Sequence, residues 1–123
     1  MEPVLKPHLE LLELLHQDCQ IQISGLTQEE LDWRPGHDMN SLAVLAAHVA
    51  GAERYWVGDV IMGEVSGRDR SAEFTTSAVS GEILSHRLAS AFDYSRKALQ
   101  DLTAGQLVEV RTSPRDGRKF TVA

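Results

Sequence analysis

The sequence predicts an all-α helix bundle, and three observations carry that prediction. Apolar residues recur at helical spacing over three long segments, 4–24, 41–62 and 81–102. Each segment opens on a residue that starts helices well, a proline or a small polar cap. The connections between them are long enough to cross a domain, and one short run near the C-terminus alternates as a strand does. At 123 residues the chain has the size of one domain, spanning 1–123.

The first helix, 4–24, begins beside Pro3 and stops at Gly25, and Leu5, Leu9, Leu12, His16, Cys19 and Ile23 share its apolar stripe. In "GLTQEELDWRPG", Thr27 and Glu30 have the spacing of a capping box, predicting one short helical turn that Pro35 ends. "SLAVLAAHVAGAERYWVGDVI" is the second helix, capped by Asn40 or Ser41. Its centre, Leu42 to Ala52, is apolar on nearly every side and predicts the most buried helix, with a stripe through Leu42, Leu45, Val49, Ala52, Trp56 and Val60. Residues 63–80 have no period and are rich in Gly, Ser and Thr, which predicts a long surface loop. Ser80 caps the third helix, 81–102, with Leu84, Leu88, Ala91, Ser95, Ala98 and Leu102 inward. "VEVRTSPRDGRKFTV" alternates around Asp116-Gly117 and predicts a short hairpin. The expected core includes Leu12, Cys19, Leu45, Val49, Trp56, Leu88 and Ala98.

Composition narrows the function classes. With 42% hydrophobic and 24% charged residues the chain is of the soluble globular type. A net charge of −6 argues against a nucleic-acid surface, which needs clustered cations. Arg111, Arg115, Arg118 and Lys119 do cluster, but Asp116 interrupts them, as in a solvated turn. No apolar run reaches the roughly 18 residues of a membrane span. "MEPVLKPHLE" lacks a signal-peptide pattern. The one cysteine, Cys19, cannot form an internal disulfide, which points to a reducing cytoplasm.

Two polar residues interrupt the second helix's apolar surface. Glu53 falls near the centre of the stripe; a carboxylate buried there needs water or a Trp, Tyr or Arg partner from a neighbouring helix. Arg54 points about 100° away and is not that partner. His48 lies on the stripe's edge. Spacing alone favours a packed histidine over a metal ligand, because a zinc site needs three or four protein ligands. The chain has no HExxH, HxxxH or Cys-x-x-Cys motif. His16 and Cys19 stand three residues apart on one face, but two ligands do not make a site. His8, His37 and His86 have no chemical argument behind them, and no nucleophile triad or phosphate loop is present.

Three stretches, "LTQEELDWRPG", "NSLAVLAAHVAGAERYW" and "DGRKFTVA", together resemble the DinB/YfiT-like family of metal-binding four-helix bundles. The run His48-x4-Glu53-Arg54-x-Trp56 is most similar to its branch related to thiol-dependent transferases and isomerases. The resemblance implies up-down-down-up helix order, and a zinc or nickel ion held by one histidine on the second helix and an HxxxH pair on the fourth. His48 matches the first ligand. No residues match the other two, and the fourth helix is expected to have been cut away, or else to be replaced by a partner chain. The functions implied are a divalent-metal-dependent hydrolase or a thiol-dependent S-transferase using a low-molecular-weight thiol, with a homodimer as the family's habit. The 123-residue chain is then expected to be inactive and to hold no tightly bound metal. His48 is expected to face a concavity between the second helix and the place of the fourth. A non-catalytic bundle binding a small apolar ligand or a partner helix is the rival reading, and a purely structural dimerising protein a third. No catalytic or cofactor-binding residue is assigned.

Overall fold

Proline lacks an N–H, and the first turn of a helix has no intrahelical partner for one, so Pro3 starts the chain's first helical turn without cost. In the computed structural model, which describes residues 1–123, that turn leads directly into α1, Lys6–Ile23. Both halves of the predicted capping box form: Glu30 N–H donates to Thr27 Oγ1, and Thr27 N–H donates to the Glu30 carboxylate, opening α2, Gln28–Asp32. Ser41 rather than Asn40 caps α3, its buried Oγ accepting from Val44 N–H. α3 runs as an α-helix over Leu42–Arg54, continues in wider π winding over Tyr55–Met62, and stops at Gly63 in the left-handed conformation, φ 70°.

The segment 63–80, expected to be loop throughout, contains a five-residue helix α4, Arg70–Phe74, capped by Asp69. Ser80 caps α5, Gly81–Asp101. A second capping box, Thr103 with Gln106, opens α6, Ala104–Leu107. Strands β1, Val110–Thr112, and β2, Lys119–Thr121, then pair antiparallel with Arg111 opposite Phe120. The chain is therefore an all-α bundle with one small hairpin.

α5 packs between α1 and α3, which scarcely touch each other, while α4 lies on another face of α3. The main core joins Ile23, Leu31, Ala43, Ala46, Ala50, Leu84, Leu88 and Ala91. Leu88 and Ala98 are buried as expected, and Leu12 and Cys19 half-buried. Leu45, Val49 and Trp56 are not core residues: they are 44%, 39% and 36% exposed. The buried side of α3 is the small-residue side, Ala43, Val44, Ala46, Ala47 and Ala50. A helix apolar all round has no face that its own pattern singles out. Alanine lets neighbouring backbones come closest, so α5 packs there and the larger residues are turned outward. They line an apolar groove of about 300 Å³ between α1 and α3, with Leu15, Cys19, Ile23, Leu42, Leu45 and Val49 in its walls.

Candidate functional site

Glu73 on α4 lies directly over α3 at Gly51, and a Cβ built on Gly51 would overlap its carboxylate. The missing side chain is what lets the acid reach the helix. His48, one turn earlier on α3, places its Nδ1 3.1 Å from Glu73 Oε1. Arg68 closes the cluster from the other side, donating from Nε to Oε2 at 2.7 Å and from Nη2 to Oε1 at 2.8 Å. The pair is bidentate, the strongest geometry an arginine has for a carboxylate. Burial alone would push the Glu73 carboxyl up, but the hydrogen bonds from Arg68 and His48, together with their charges, outweigh it and hold it below the ordinary value. Arg68 is held above its ordinary value by the hydrogen bond to Glu73.

An ionised carboxylate can only accept, so Nδ1 of His48 carries a proton and donates it to Glu73. The ring packs on Phe74 at 5.0 Å between centroids, and the side chain is one-third exposed. His48 is thus neither in the core nor among the residues that line the α1–α3 groove. It sits around the helix from that groove, against α4.

Glu53 is buried, but its partners are not a Trp, Tyr or Arg. His16 Nε2 lies 2.5 Å from Oε2, and Ser95 Oγ donates to Oε1 at 2.8 Å. One residue from each of α1, α3 and α5 therefore meets in a single polar layer. His16 Nδ1 is buried with no partner, which fits an imidazole protonated at Nε2 and turned wholly toward Glu53. Both carboxylate oxygens are occupied, and the cluster ties three helices together. Cys19 is not part of it. Arg54 is used locally: it bonds Asp59 at 3.1 Å and the Glu64 carbonyl, and lies over the Tyr94 ring.

No three His, Cys, Asp or Glu side chains stand close enough to hold a metal ion together. His48 is brought to Glu73 and Arg68, and to no second metal-binding side chain. His37 lies with Asp38 at the exposed surface, and His86 is near Ser90. Glu73 and Arg68 were missed because they sit in a segment without periodicity. The available signal was Asp69, a good helix cap four residues before Glu73.

A comparison with family models matches residues 11–123 to the DinB superfamily. No curated protein matches the chain.

Proposed function

The chain belongs to the DinB superfamily, and from that premise we propose that it acts as a divalent-metal-dependent hydrolase or thiol-dependent S-transferase in which His48 is one ligand of a zinc or nickel ion. The observation that carries this reading is the Nδ1–H···Glu73 bond. Imidazoles that ligate metals through one nitrogen characteristically donate the other to a carboxylate, which fixes tautomer and ring orientation. His48 has that second partner, and its Nε2 makes no hydrogen bond within the chain.

The fit is partial. A divalent site needs three or four protein ligands, and His48 has no metal-binding neighbour other than Glu73, which its own Nδ1 and Arg68 already occupy. Under this reading the remaining ligands would have to be supplied from outside this cluster. When bound, such an ion polarises its substrate and lowers the pKa of a bound water or thiol. This chain's own contribution is to orient: Glu73 holds the His48 ring, and Arg68 keeps Glu73 ionised. Glu53 belongs to the bundle's interior. A small-molecule substrate and a low-molecular-weight thiol suit an acidic surface better than nucleic acid does, and no helix is long and apolar enough to cross a membrane. A reducing cytoplasm fits the lone Cys19.

Elemental analysis of the protein purified from its native source tests this. We expect about one equivalent of zinc or nickel per chain, lost in His48→Ala, with the affinity of Glu73→Gln weakened about 10–100-fold. A His48→Ala protein that folds and keeps a full equivalent overturns the assignment.

A second reading, a bundle that binds an apolar ligand, a partner helix or a second copy of itself, is favoured by the α1–α3 groove. Continuous exposed apolar surface of this kind marks interaction sites. We expect sedimentation of the 123-residue chain at micromolar concentration to give a homodimer that Leu45→Asp converts to monomer. A wild-type monomer, or a Leu45→Asp dimer, contradicts that arrangement.

A further inference from the structure

We propose that the cleft between the segment following α3 and the turn of the hairpin binds the anionic group, carboxylate or phosphate, of a small molecule, with Arg70 and Arg115 as its receptors. The cleft measures about 290 Å³, and Tyr55, Asp59, Arg68, Arg70, Pro114 and Arg115 line it. Three guanidinium groups from two distant stretches of chain thus converge on one concavity that contains a single carboxylate. In a protein of net charge −6 such convergence is not a reflection of composition.

The partners of these charges decide which are available. Arg68 is engaged bidentately by Glu73. Asp59, the one acid in the lining, is engaged by Arg54 at 3.1 Å and by the Ser66 N–H at 3.2 Å. Arg70 has no carboxylate within 4.0 Å, and its guanidinium rests over Phe74 at 5.0 Å. Arg115 has only Asp116, 3.9 Å away, and that carboxylate already receives Arg118 Nε at 2.7 Å. Two planar donor forks are therefore left without an acceptor.

They are also pre-ordered. The Arg115 backbone N–H donates to Tyr55 Oη at 3.1 Å, and the same hydroxyl pairs with buried Ser113 Oγ at 2.5 Å, pinning the turn to α3. The Arg115 guanidinium lies 5.9 Å from the Tyr55 ring centroid. Arginines held on aromatic faces with their N–H edges free lose less entropy when they grip a planar or tetrahedral oxyanion. Arg68 forms the wall between cleft and His48, its Nη2 3.5 Å from Nδ1. The inference goes beyond the metal reading and does not rest on it.

The test uses metal-free protein at low ionic strength, titrated separately with inorganic phosphate and with succinate, while NMR follows the arginine Nε–H and Tyr55 ring signals. Saturable shifts at Arg70 and Arg115 are expected with at least one anion, and which anion binds names the group. Arg70→Gln and Arg115→Gln should each weaken binding about tenfold, the loss of a charge-assisted hydrogen bond. Lys119→Gln, also on the hairpin but outside the cleft lining and without an ion pair, should leave affinity unchanged. Both receptor side chains are exposed, so the variants are expected to fold, which circular dichroism checks. Absence of saturable shifts with either anion overturns the proposal, as does an equal loss in Lys119→Gln, which would mean diffuse charge attraction only.

Discussion

Alanine in place of His16 is expected to lower the free energy of unfolding by about 3 kcal/mol, among the largest losses at any polar position of the chain. The Glu53 side chain is 9% exposed and His16 8%, so neither can turn to bulk water without moving a helix. Glu53 accepts from His16 Nε2 and from Ser95 Oγ. Removing the imidazole leaves a carboxylate with one donor and a ring-sized hole where α1, α3 and α5 meet. Breaking a buried pair by deleting one partner typically costs about 3–5 kcal/mol. The lower end applies because Ser95 stays, and because His16 borders a surface groove with Gln17, Gln20 and Phe92 through which water can enter.

Glu53→Gln is milder, at about 1 kcal/mol, since the Ser95 bond survives. With its one oxygen kept toward Ser95, the new amide turns its NH₂ to His16 Nε2, which must change tautomer to accept it. Replacing both, His16→Leu with Glu53→Met, should recover most of the loss, because an apolar pair of similar volume needs no donor. Urea unfolding measures all three. A His16→Ala variant within about 0.5 kcal/mol of wild type would show that the polar layer does not hold the helices together.

Much of this fold is legible in the residues. Helical periodicity and the caps at Thr27, Ser41 and Ser80 locate the long helices to within a residue or two, and Asp116-Gly117 locates the hairpin turn. The orientation of α3 is not legible. Both sides of that helix are apolar, so hydrophobicity alone favours the bulky Leu42–Leu45–Val49 side, whereas backbone approach favours alanine. The site is half-legible for a related reason. His48 and Glu53 stand out as polar residues on an apolar helix, but their partners are set by tertiary contact. Glu73 comes from a helix too short to show a period, and His16 shares an apolar stripe on which it passes for a core residue. Gly51 carried the missing information in a form that only the structure translates: a glycine inside a helix, where alanine would be more stable, marks a close approach.

Gly51→Val is accordingly expected to disconnect His48 from Glu73 and to destabilise the protein by about 2 kcal/mol, within the range for overpacking a filled site. Helix propensity gives almost no loss by itself, since valine is no worse than glycine in a helix interior. The loss comes from the Glu73 carboxylate, which occupies the space of the new side chain. A carboxylate at the end of a flexible chain moves cheaply when it is free. Here it is fastened by two hydrogen bonds to Arg68 and one to His48, so it moves only by giving those up. Nδ1 of His48 then loses its acceptor, and the ring is free to exchange tautomers. NMR should show the hydrogen-bonded Nδ1–H signal of His48 and the Arg68 Nε–H signal vanishing together. Glu73→Gln should produce much of the same change, and the double variant little more than either alone, because all three act on one interaction. If the His48 signal persists in a folded Gly51→Val protein, the carboxylate has found another route to the ring, and Gly51 is not what positions it.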